Sequence, residues 1–498
     1  MAQLSATETG TDRGRAWRLA LAAAGIALLL AGCNSLGGPG VSPPTSTVFN
    51  NDSTPNGAAA PVDTEENARI VAAYGGIYHD AQVEQMLLPV VSRIVAASEK
   101  PDQPYRITIL NAPAINAFAL PGGYLYVTRG LLALANDSSE VAAVLAHEMG
   151  HIIANHAQQR QMMAQQVMAA AGAATDVVHD AASQQLALAA SQRTLASFSR
   201  QQELEADAIG IRDIGKAGYD PYAAARFLAE MAAYSSFRAS GTVQDKEPDF
   251  LATHPSTPER VAFAKQAASA FGAPGVGDVD RDRYLDGIDG MVFGDDPSQG
   301  FVRDRSFIHP GLAIAFTVPP GFVIDNTSEA VLATGGDGTA LRFDAVGLAQ
   351  GTDLADYLRS GWINGLDPNS IQSFSVNGLQ AASASAQAKG WFFQIAVVQS
   401  NGPATYRFIF ANETSNDAFK AESRDTVNSF RTVSQQELAQ LKALHIHIVT
   451  AQPGDTEAIV ARRMRGVDRP RELFQVLNDL EPNAAIDPGT KLKIVDDR

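Results

Sequence analysis

The stretch VLAHEMGHIIANH, from Val144 to His156, contains side chains whose types and spacing suit metal chemistry. His147 and His151 are four residues apart, so on a helix both imidazoles project from one face and can reach one ion. Glu148 is next to His147 and can polarise a water molecule at the ion without being a ligand. The pattern indicates metal-assisted hydrolysis, provided that another part of the chain supplies a third ligand.

The segment ELEAD, which begins at Glu203, offers that ligand. Glu203 and Asp207 are four residues apart and share a helix face. Glu203 would complete a His-His-Glu set for one Zn²⁺ per chain, with the fourth position left for water or substrate. Asp207 would accept a hydrogen bond from a ligating imidazole and fix its tautomer. Alone, ELEAD would be a solvated acidic helix face; paired with the first motif, it predicts a zinc site.

Local patterns predict the elements that position these residues. Asp137 is a predicted helix N-cap with Glu140 as its capping-box partner, which puts the metal motif in the second and third turns of a helix. The segments YRITIL, 105–110, and GGYLYVT, 122–128, read as strands. The second strand is predicted to be an exposed edge that holds substrate as an added strand, with an internal strand as the alternative. The Met-rich stretch 161–171 predicts helix packing, with a cover over the cleft as the alternative.

The first 33 residues differ in character from the rest of the chain. Three arginines precede an apolar run from Leu19 that is too short to span a bilayer but typical of a signal-peptide core. The run ends in LAGC, which resembles the lipobox of a bacterial lipoprotein and implies cleavage before Cys33 and a diacylglycerol on its thiol. An ordinary secretory signal is the alternative. Because Asn34 rather than Asp follows the cysteine, we expect an outer-membrane anchor that faces the periplasm.

The overall composition excludes some function classes. Lysine and arginine number 38 against 54 acidic residues, a net charge of −16, which argues against nucleic acid as a partner. Cys33 is the only cysteine, so the sequence offers neither an internal disulfide nor a thiolate metal site.

Four separated motifs, NAFALPGGYLYVTRGLL, EVAAVLAHEMGHIIANH, ELEADAIG and THPSTPER, follow one another along the chain. Together they resemble the gluzincin family of HtpX-type and BepA-type proteases, which is related to the CAAX prenyl proteases. The resemblance implies peptide-bond cleavage, with zinc in His147, His151 and Glu203 and with Glu148 as general base. The sequence has no extra membrane-spanning helices, so it resembles the periplasmic branch. The single residues that match are Asn116, Phe118, Pro121, Gly122, Gly123 and Gly130.

Three further polar residues near these motifs have open roles. His254 takes the place of a loop histidine that, in BepA-type proteins, can cap the zinc and hold the enzyme latent; the alternative is a plain loop histidine packed by Pro255. Arg260 matches the same stretch and is a candidate for stabilising the transition-state oxyanion, with a structural ion pair as the alternative. His156 is five residues past His151, about 140° round a helix, and is left out of the site.

Changes in composition predict several domains. Strand-like segments from Phe307 predict an α+β accessory domain. The last part resembles a LysM module, a βααβ unit that binds N-acetylglucosamine-containing chains of peptidoglycan, but it departs from that pattern at Glu457 and Ala458. The predicted fold class is multidomain: a mainly α zincin-type (α+β) protease domain, an α+β sheet-and-helix domain and a small βααβ LysM-like domain. The predicted boundaries are 1–33 for the lipoprotein signal peptide, 34–64 for a flexible linker, 65–272 for the protease domain, 273–304 for a second linker, 305–434 for the accessory domain and 443–496 for the LysM-like domain.

The resemblance implies a zinc-dependent endopeptidase of the bacterial cell envelope that degrades misfolded or stalled envelope proteins. The expected partners are unfolded or misassembled envelope proteins as substrates, the membrane through the lipid anchor, and peptidoglycan. The alternative is a largely latent, peptidoglycan-tethered chaperone or assembly scaffold; a peptidoglycan hydrolase is the second enzyme class considered.

Overall fold

The computed structural model describes residues 64–120, 122–160, 162, 200–239, 250, 254–327, 330–349, 351–400, 404–467 and 469–497. Predictions for the signal peptide and Cys33, for the linker 34–64, for Pro121 and for the Met-rich stretch other than Met162 lie outside these residues. Among the described helices, none combines the length and the apolar character that crossing a membrane requires.

Helices predominate among the described residues up to 288, and strands predominate from 292 to 412. The helices are α1 Thr64–Ala73, α2 Ala81–Ala97, α3 Arg129–Leu134, α4 Ser138–Ile153, α5 200–216, α6 Ala223–Ala239, α7 Pro258–Ser269, α8 Arg281–Ile288, α9 Leu354–Arg359, α10 Asp417–Ser429, α11 Gln435–Leu438, α12 Glu457–Ala461 and α13 Pro470–Leu477. The strands are β1 Arg106–Leu110, β2 Ala117–Leu120, β3 Tyr124–Thr128, β4 Val292–Phe293, β5 Phe301–Arg303, β6 Ser306–His309, β7 Ile314–Thr317, β8 Val323–Asn326, β9 Val331–Thr334, β10 Ala340–Gly347, β11 Gln372–Val376, β12 Leu379–Ala388, β13 Trp391–Gln399, β14 Ala404–Asn412, β15 Arg431–Thr432, β16 Leu444–Thr450 and β17 Lys491–Asp496.

The described residues form two compact units, and the first, the helical unit, combines residues up to 294 with residues from 443 onward. Its core is one apolar cluster to which α2 to α8 and the C-terminal segment 443–497 all contribute. The predicted linker 273–304 is wrong for its first part, because Tyr284, Leu285 and Ile288 of α8 are fully buried in this cluster. Apolar side chains at helical spacing fix α8 in place despite the many aspartates around it.

The C-terminal segment, residues 443–497, has the expected order of strand, helix, helix and strand. Strands β16 and β17 pair antiparallel, from His445 opposite Asp496 to Thr450 opposite Lys491, and β16 also pairs with β4. The prediction of a separate third domain differs from the structure, since Leu473, Phe474 and Leu477 pack into the helical unit's own core. The element order alone leaves the LysM assignment a prediction.

A three-stranded sheet of order β1-β3-β2 lies in the same unit, with β1 parallel and β2 antiparallel to β3. The predicted strand in 122–128 forms, but its interpretation as an exposed edge was wrong. Strand β3 is central and all five of its residues are buried, as its nearly continuous apolar run requires. The outer strands are β1 and β2, and three of the four residues of β2 are only partly buried.

The sheet unit, residues 295–442, is antiparallel α+β structure. Seven strands follow the order β11-β12-β13-β14-β10-β9-β8, and four more follow the order β15-β7-β6-β5. A phenylalanine-rich core that includes Phe316, Phe343 and Phe408 joins these sheets with α10. A second core under α9, with Leu358 and Ile395, covers the opposite face of the seven-stranded sheet. In the chain, this unit is inserted between β4 and β16 of the helical unit.

Candidate metal centre

Helix α4 presents the first half of the site. The Asp137 carboxylate accepts a hydrogen bond from the Glu140 N–H at 3.0 Å, and the Glu140 carboxylate accepts one from the Asn136 N–H at 2.6 Å, so the predicted capping pair forms with a one-residue offset. Counted from Ser138, His147 falls in the third turn and His151 in the fourth, one turn later than predicted.

Helix α5 presents the second half, and two glycines allow it to approach α4 closely. A Cβ atom at Gly210 would lie 2.9 Å from the backbone nitrogen of His147, and one at Gly150 would lie 3.0 Å from the carbonyl oxygen of Ala206. Any larger side chain would separate the helices and the carboxylates of α5 from the imidazoles of α4. The sequence analysis did not identify either glycine.

The predicted ligand atoms converge. His147 Nε2 is 3.1 Å from His151 Nε2 and 3.4 Å from Glu203 Oε2, and His151 Nε2 is 3.5 Å from Glu203 Oε1. Ligands at about 2.0–2.1 Å from a tetrahedral ion lie about 3.4 Å from one another. The spacing and the nitrogen and carboxylate donors therefore fit an ion of the size and preference of Zn²⁺.

His254 joins the same cluster from the segment before α7. Its Nδ1 is 2.9 Å from Glu203 Oε2 and 3.3 Å from His147 Nε2, and the four residues place one ligand atom each within 4.8 Å of one another. The His254 ring stacks on Phe250 with ring centroids 4.5 Å apart. The His254 N–H also donates to the Phe250 carbonyl at 2.7 Å. His254 is therefore a fourth potential ligand, in the position that a catalytic zinc site leaves open for water or substrate.

Asp207 and Arg260 support the ligands. Asp207 Oδ1 is 2.8 Å from His147 Nδ1, the position from which a carboxylate fixes the tautomer of a ligating imidazole. Arg260 donates to both oxygens of Asp207, at 2.7 and 2.8 Å, and its Nη1 is 3.2 Å from Glu203 Oε2. For Arg260, the ion-pair alternative describes these contacts; its role toward an oxyanion stays a prediction.

His156 is not among the residues whose ligand atoms converge, but it contacts one of them, and this contact was not predicted. Helix α4 ends at Ile153, and Asn155 adopts a left-handed conformation with φ of 55°, so the chain turns before His156. As a result His156 Nδ1 lies 2.9 Å from His151 Nδ1, while its Nε2 is 3.4 Å from Glu205. The spacing could not predict this contact, because the helix ends before His156. An Asn before the histidine was the available signal, since Asn tolerates this conformation.

Arg160 is a further residue that the sequence analysis missed. Its Nη2 donates to Glu203 Oε1 at 3.2 Å, and its Nε donates to the side chain of Gln202 at 2.7 Å. Glu203 is therefore held by guanidinium groups of Arg160 and Arg260 as well as by histidines.

The charges of the site shift its protonation. Burial alone would lower the pKa of His147, but the hydrogen bond and charge of Asp207 outweigh it and raise that pKa to about 9. Burial, together with the charge of His147, lowers the pKa of His151. Burial opposes the charged form of Glu203, yet hydrogen bonds from His147 and His254 lower its pKa overall. A bound cation would replace the proton on His147, because metal ligands bind in their neutral or anionic forms.

Glu148 is placed for proton transfer. It is buried, and burial raises its pKa. Among the described residues its Oε1 has no hydrogen-bond partner, and that oxygen lies 3.6 Å from His254 Nε2. A carboxylate that is next to the ligands but not one of them can act as general base.

Comparison with known families agrees with this geometry. Residues 80–268 match the model of "Peptidase family M48". The chain carries an M48 peptidase domain. This confirms the family predicted from the four motifs and the prediction of a metallopeptidase, and the M48 segment contains the cluster of His147, His151, Glu203 and His254 that can bind a metal ion.

Three relatives illustrate the extent of the similarity. The "Beta-barrel assembly-enhancing protease" of Escherichia coli K12 is 32% identical over 222 residues, which are 42% of this chain and 43% of that protein. The "Mitochondrial metalloendopeptidase OMA1" of Schizosaccharomyces pombe is 33% identical over 34% of this chain and 49% of its own length. "Metalloprotease LoiP" of E. coli K12 is 30% identical over 34% of this chain and 65% of its own length. The chain thus spans less than half of the first relative.

Proposed function

We propose that the chain is a zinc-dependent endopeptidase of the bacterial cell envelope. The observation that carries this proposal is the convergence of His147, His151 and Glu203 on one point, with the Glu148 carboxylate beside it. Zinc bound there would lower the pKa of a water molecule and polarise the scissile carbonyl. Glu148 takes the proton of the attacking water and returns it to the leaving amine. Asp207 holds His147 in the orientation that binding requires.

Strand β2 is the proposed substrate edge. Among the described residues it is one of the two outer strands of the sheet β1-β3-β2, and it packs on α4, which carries His147 and His151. An extended peptide added to β2 would bind through main-chain hydrogen bonds, which suit unfolded substrates of varied sequence. The substrate-binding edge that the sequence predicted at β3 is therefore proposed for the neighbouring strand β2.

His254 is the proposed cause of a latent resting state. Its Nδ1 lies among the ligand atoms, within 3.3 Å of His147 Nε2, so it competes for the position that water or substrate needs. This observation supports the second candidate function, a largely latent chaperone or assembly scaffold. In that case the metal centre is closed until the segment with His254 moves.

The location and partners are proposed from the sequence. The lipobox before Cys33 supports a lipid anchor in the outer membrane, facing the periplasm. The substrates proposed are misfolded or misassembled envelope proteins, a role in keeping with the name of the beta-barrel assembly-enhancing relatives. The C-terminal segment 443–497, with its LysM-like turn and strand order, is the proposed contact with peptidoglycan.

The deciding experiment uses a purified chain that begins at Asn34. Zinc per chain is measured, and cleavage of unfolded casein is assayed for wild type, Glu148→Gln and His254→Ala, with His79→Ala as the histidine control because His79 is an exposed residue outside the cluster. We expect one zinc per chain and no cleavage by Glu148→Gln. Cleavage only by His254→Ala would favour the latent enzyme, and a chain without zinc would overturn the proposal. Binding to purified sacculi tests the glycan partner, and their breakdown tests the hydrolase alternative.

A further inference from the structure

The C-terminal segment is joined to the M48 domain at a specific point. The family match ends at residue 268, yet β17 places Lys493 inside the helical unit with no exposed surface. The Lys493 Nζ donates to the carbonyl oxygens of Ala133, Leu134 and Ala135, at 3.0, 2.8 and 2.8 Å. These carbonyls form the C-terminal end of α3, where a cation is favourable. All three ammonium protons therefore go to one helix end.

The backbone of strand β17 is also held in place at Lys493. The Lys493 N–H donates to Asn478 Oδ1 at 2.7 Å, and Asn478 Nδ2 donates to the Lys493 carbonyl at 2.9 Å. The side chain of Asn478, which follows α13, therefore binds both backbone polar groups of Lys493. Arg281 of α8 donates to the Asn136 carbonyl at 2.9 Å, one residue beyond the carbonyls that Lys493 caps. The turn between α3 and α4 is thus held from two directions.

Two buried acids belong to this region, and one of them is on the metal helix. Glu230 of α6 is 2% exposed, and burial raises its pKa well above the usual range. Glu140 is 1% exposed and accepts hydrogen bonds from the Asn136 N–H and from Arg226 Nε at 3.2 Å. Through its bond with Asn136, Glu140 ties the start of α4 to the turn that Lys493 and Arg281 hold.

We propose that strand β17 braces the metal-binding helix and that Lys493 is its positioning residue. By capping the last carbonyls of α3, Lys493 fixes the turn that leads into α4, whose first residue lies nine residues before His147. Because α4 is a rigid rod, a shift at its start moves His147, Glu148 and His151 relative to Glu203 on α5. The C-terminal segment then supports the geometry of the peptidase site, in addition to any role that it has in binding a partner. The consequence for zinc rests on the proposed function, whereas the brace itself does not.

Amide hydrogen exchange of the full chain from Asn34 tests the brace directly. We expect Lys493→Met to speed exchange in α4 by roughly tenfold more than in α2, a helix of the same core. A general loss of stability would raise exchange in both helices alike. Lys491→Met is the matched control, since Lys491 lies two residues earlier on β17 and its Nζ bonds only to the exposed Asp286 at 2.6 Å. Helix α10 of the sheet unit is the internal reference.

Zinc release to a chelator is the second readout. We expect Lys493→Met to release zinc roughly tenfold faster than wild type and Lys491→Met. Asn478→Ala, which removes both hydrogen bonds to the Lys493 backbone, should change exchange and release in the same direction, and it decides the question if Lys493→Met does not fold. Equal exchange in α4 and α2 in the folded variants would overturn the brace. If wild type binds no zinc, the proposed function fails, while the exchange comparison still decides the brace.

Discussion

Helix α4 has a buried charged cluster toward each end, and the two clusters balance charge differently. Toward its C-terminal end, three imidazoles and Glu203 turn nitrogen and oxygen lone pairs toward one point within 4.8 Å. At its N-terminal end, Glu140 and Glu230 are accompanied by Lys493 and Arg226, so the positive charges come from the chain itself. Arg160 and Arg260 also pair with Glu203, but only the first cluster has imidazole nitrogens that converge on one point, as a bound metal ion requires. We call these the metal cluster and the brace cluster.

Loss of a ligand in the metal cluster should have the largest effect. In the His254→Ala background we expect His151→Ala to bind zinc too weakly for recovery at one per chain and to lower casein cleavage by at least about 10³-fold, because only His147 and Glu203 remain as ligands. Chelation of wild type should have the same effect and be reversed by added zinc. If wild type is latent, the chelation is also done in the His254→Ala background. Full zinc content in His151→Ala would contradict the contrast between the clusters.

Loss of the guanidinium in the brace cluster should act on stability. Arg226 donates to Asp137 at 3.1 Å, to Glu140 at 3.2 Å and to Asp220 at 2.5 Å. We expect Arg226→Met to lower the free energy of unfolding of the helical unit by about 3–5 kcal/mol, since it leaves buried carboxylates unpaired.

Urea unfolding followed by far-ultraviolet circular dichroism measures this loss. After Asn34 the tryptophans are Trp362 and Trp391, both in the sheet unit, so their fluorescence reports a unit that should not change. Arg69→Met, which removes an exposed pair with Glu65, is the surface control and should have little effect. A loss as small as that of Arg69→Met would show that the brace cluster does not depend on its own cations.

The metal cluster could be predicted from the sequence because its information is local. Helical spacing of four residues places His147 with His151 and Glu203 with Asp207 on shared faces, and this holds wherever the helices lie. What spacing could not show was the end of a helix. His156 reaches His151 only because Asn155 turns the chain. The glycines that bring α4 and α5 together also carry no local signal of their partner.

The brace cluster and the domain boundaries could not be predicted, because they depend on distant pairs. Lys493 is 360 residues from Ala133, with the whole sheet unit between them in sequence. The linker 273–304 was inferred from its glycines and aspartates, yet the few apolar residues of α8 decide its burial. Strand β3 was interpreted as an exposed edge, but its tyrosines are buried on one face and its aliphatic residues on the other.

A carboxylate behind the metal cluster should have an intermediate effect. Asp207→Asn removes the charge that orients His147 and half of the ion pair with Arg260. We expect zinc affinity to fall roughly 10- to 100-fold, with little change in helix content. Glu205→Gln on the same helix is the control, because Glu205 is exposed and contacts His156 at 3.4 Å rather than a ligand position. Equal zinc affinity in both variants would show that Asp207 does not support the ligand.

The smallest effect expected is a pH dependence of the brace cluster. Burial, followed by the charge of Asp137, raises the pKa of Glu140 to about 7, and burial raises that of Glu230 well above its usual range. The folded state then holds protons that the unfolded state has released, so stability present below about pH 4.5 is lost as the pH rises toward 7. Burial lowers the pKa of Lys493 to about 7. The contribution of Lys493 to stability therefore rises with pH instead of falling, and it does so only above about pH 7.

Replacing one acid of the pair should therefore flatten this part of the stability profile. Between pH 5 and pH 7 we expect the free energy of unfolding of wild type to fall by about 1–2 kcal/mol more than that of Glu230→Gln, because the amide has no proton to lose. The groups that face the pair are Asp137, Asp479, Arg226, Arg281, Tyr284 and Lys493. Glu65→Gln on exposed α1 should keep the wild-type slope. Identical slopes for Glu230→Gln and wild type would mean that the carboxylates at this end of α4 are ionised in the folded chain, and that Lys493 and Arg226 neutralise them fully.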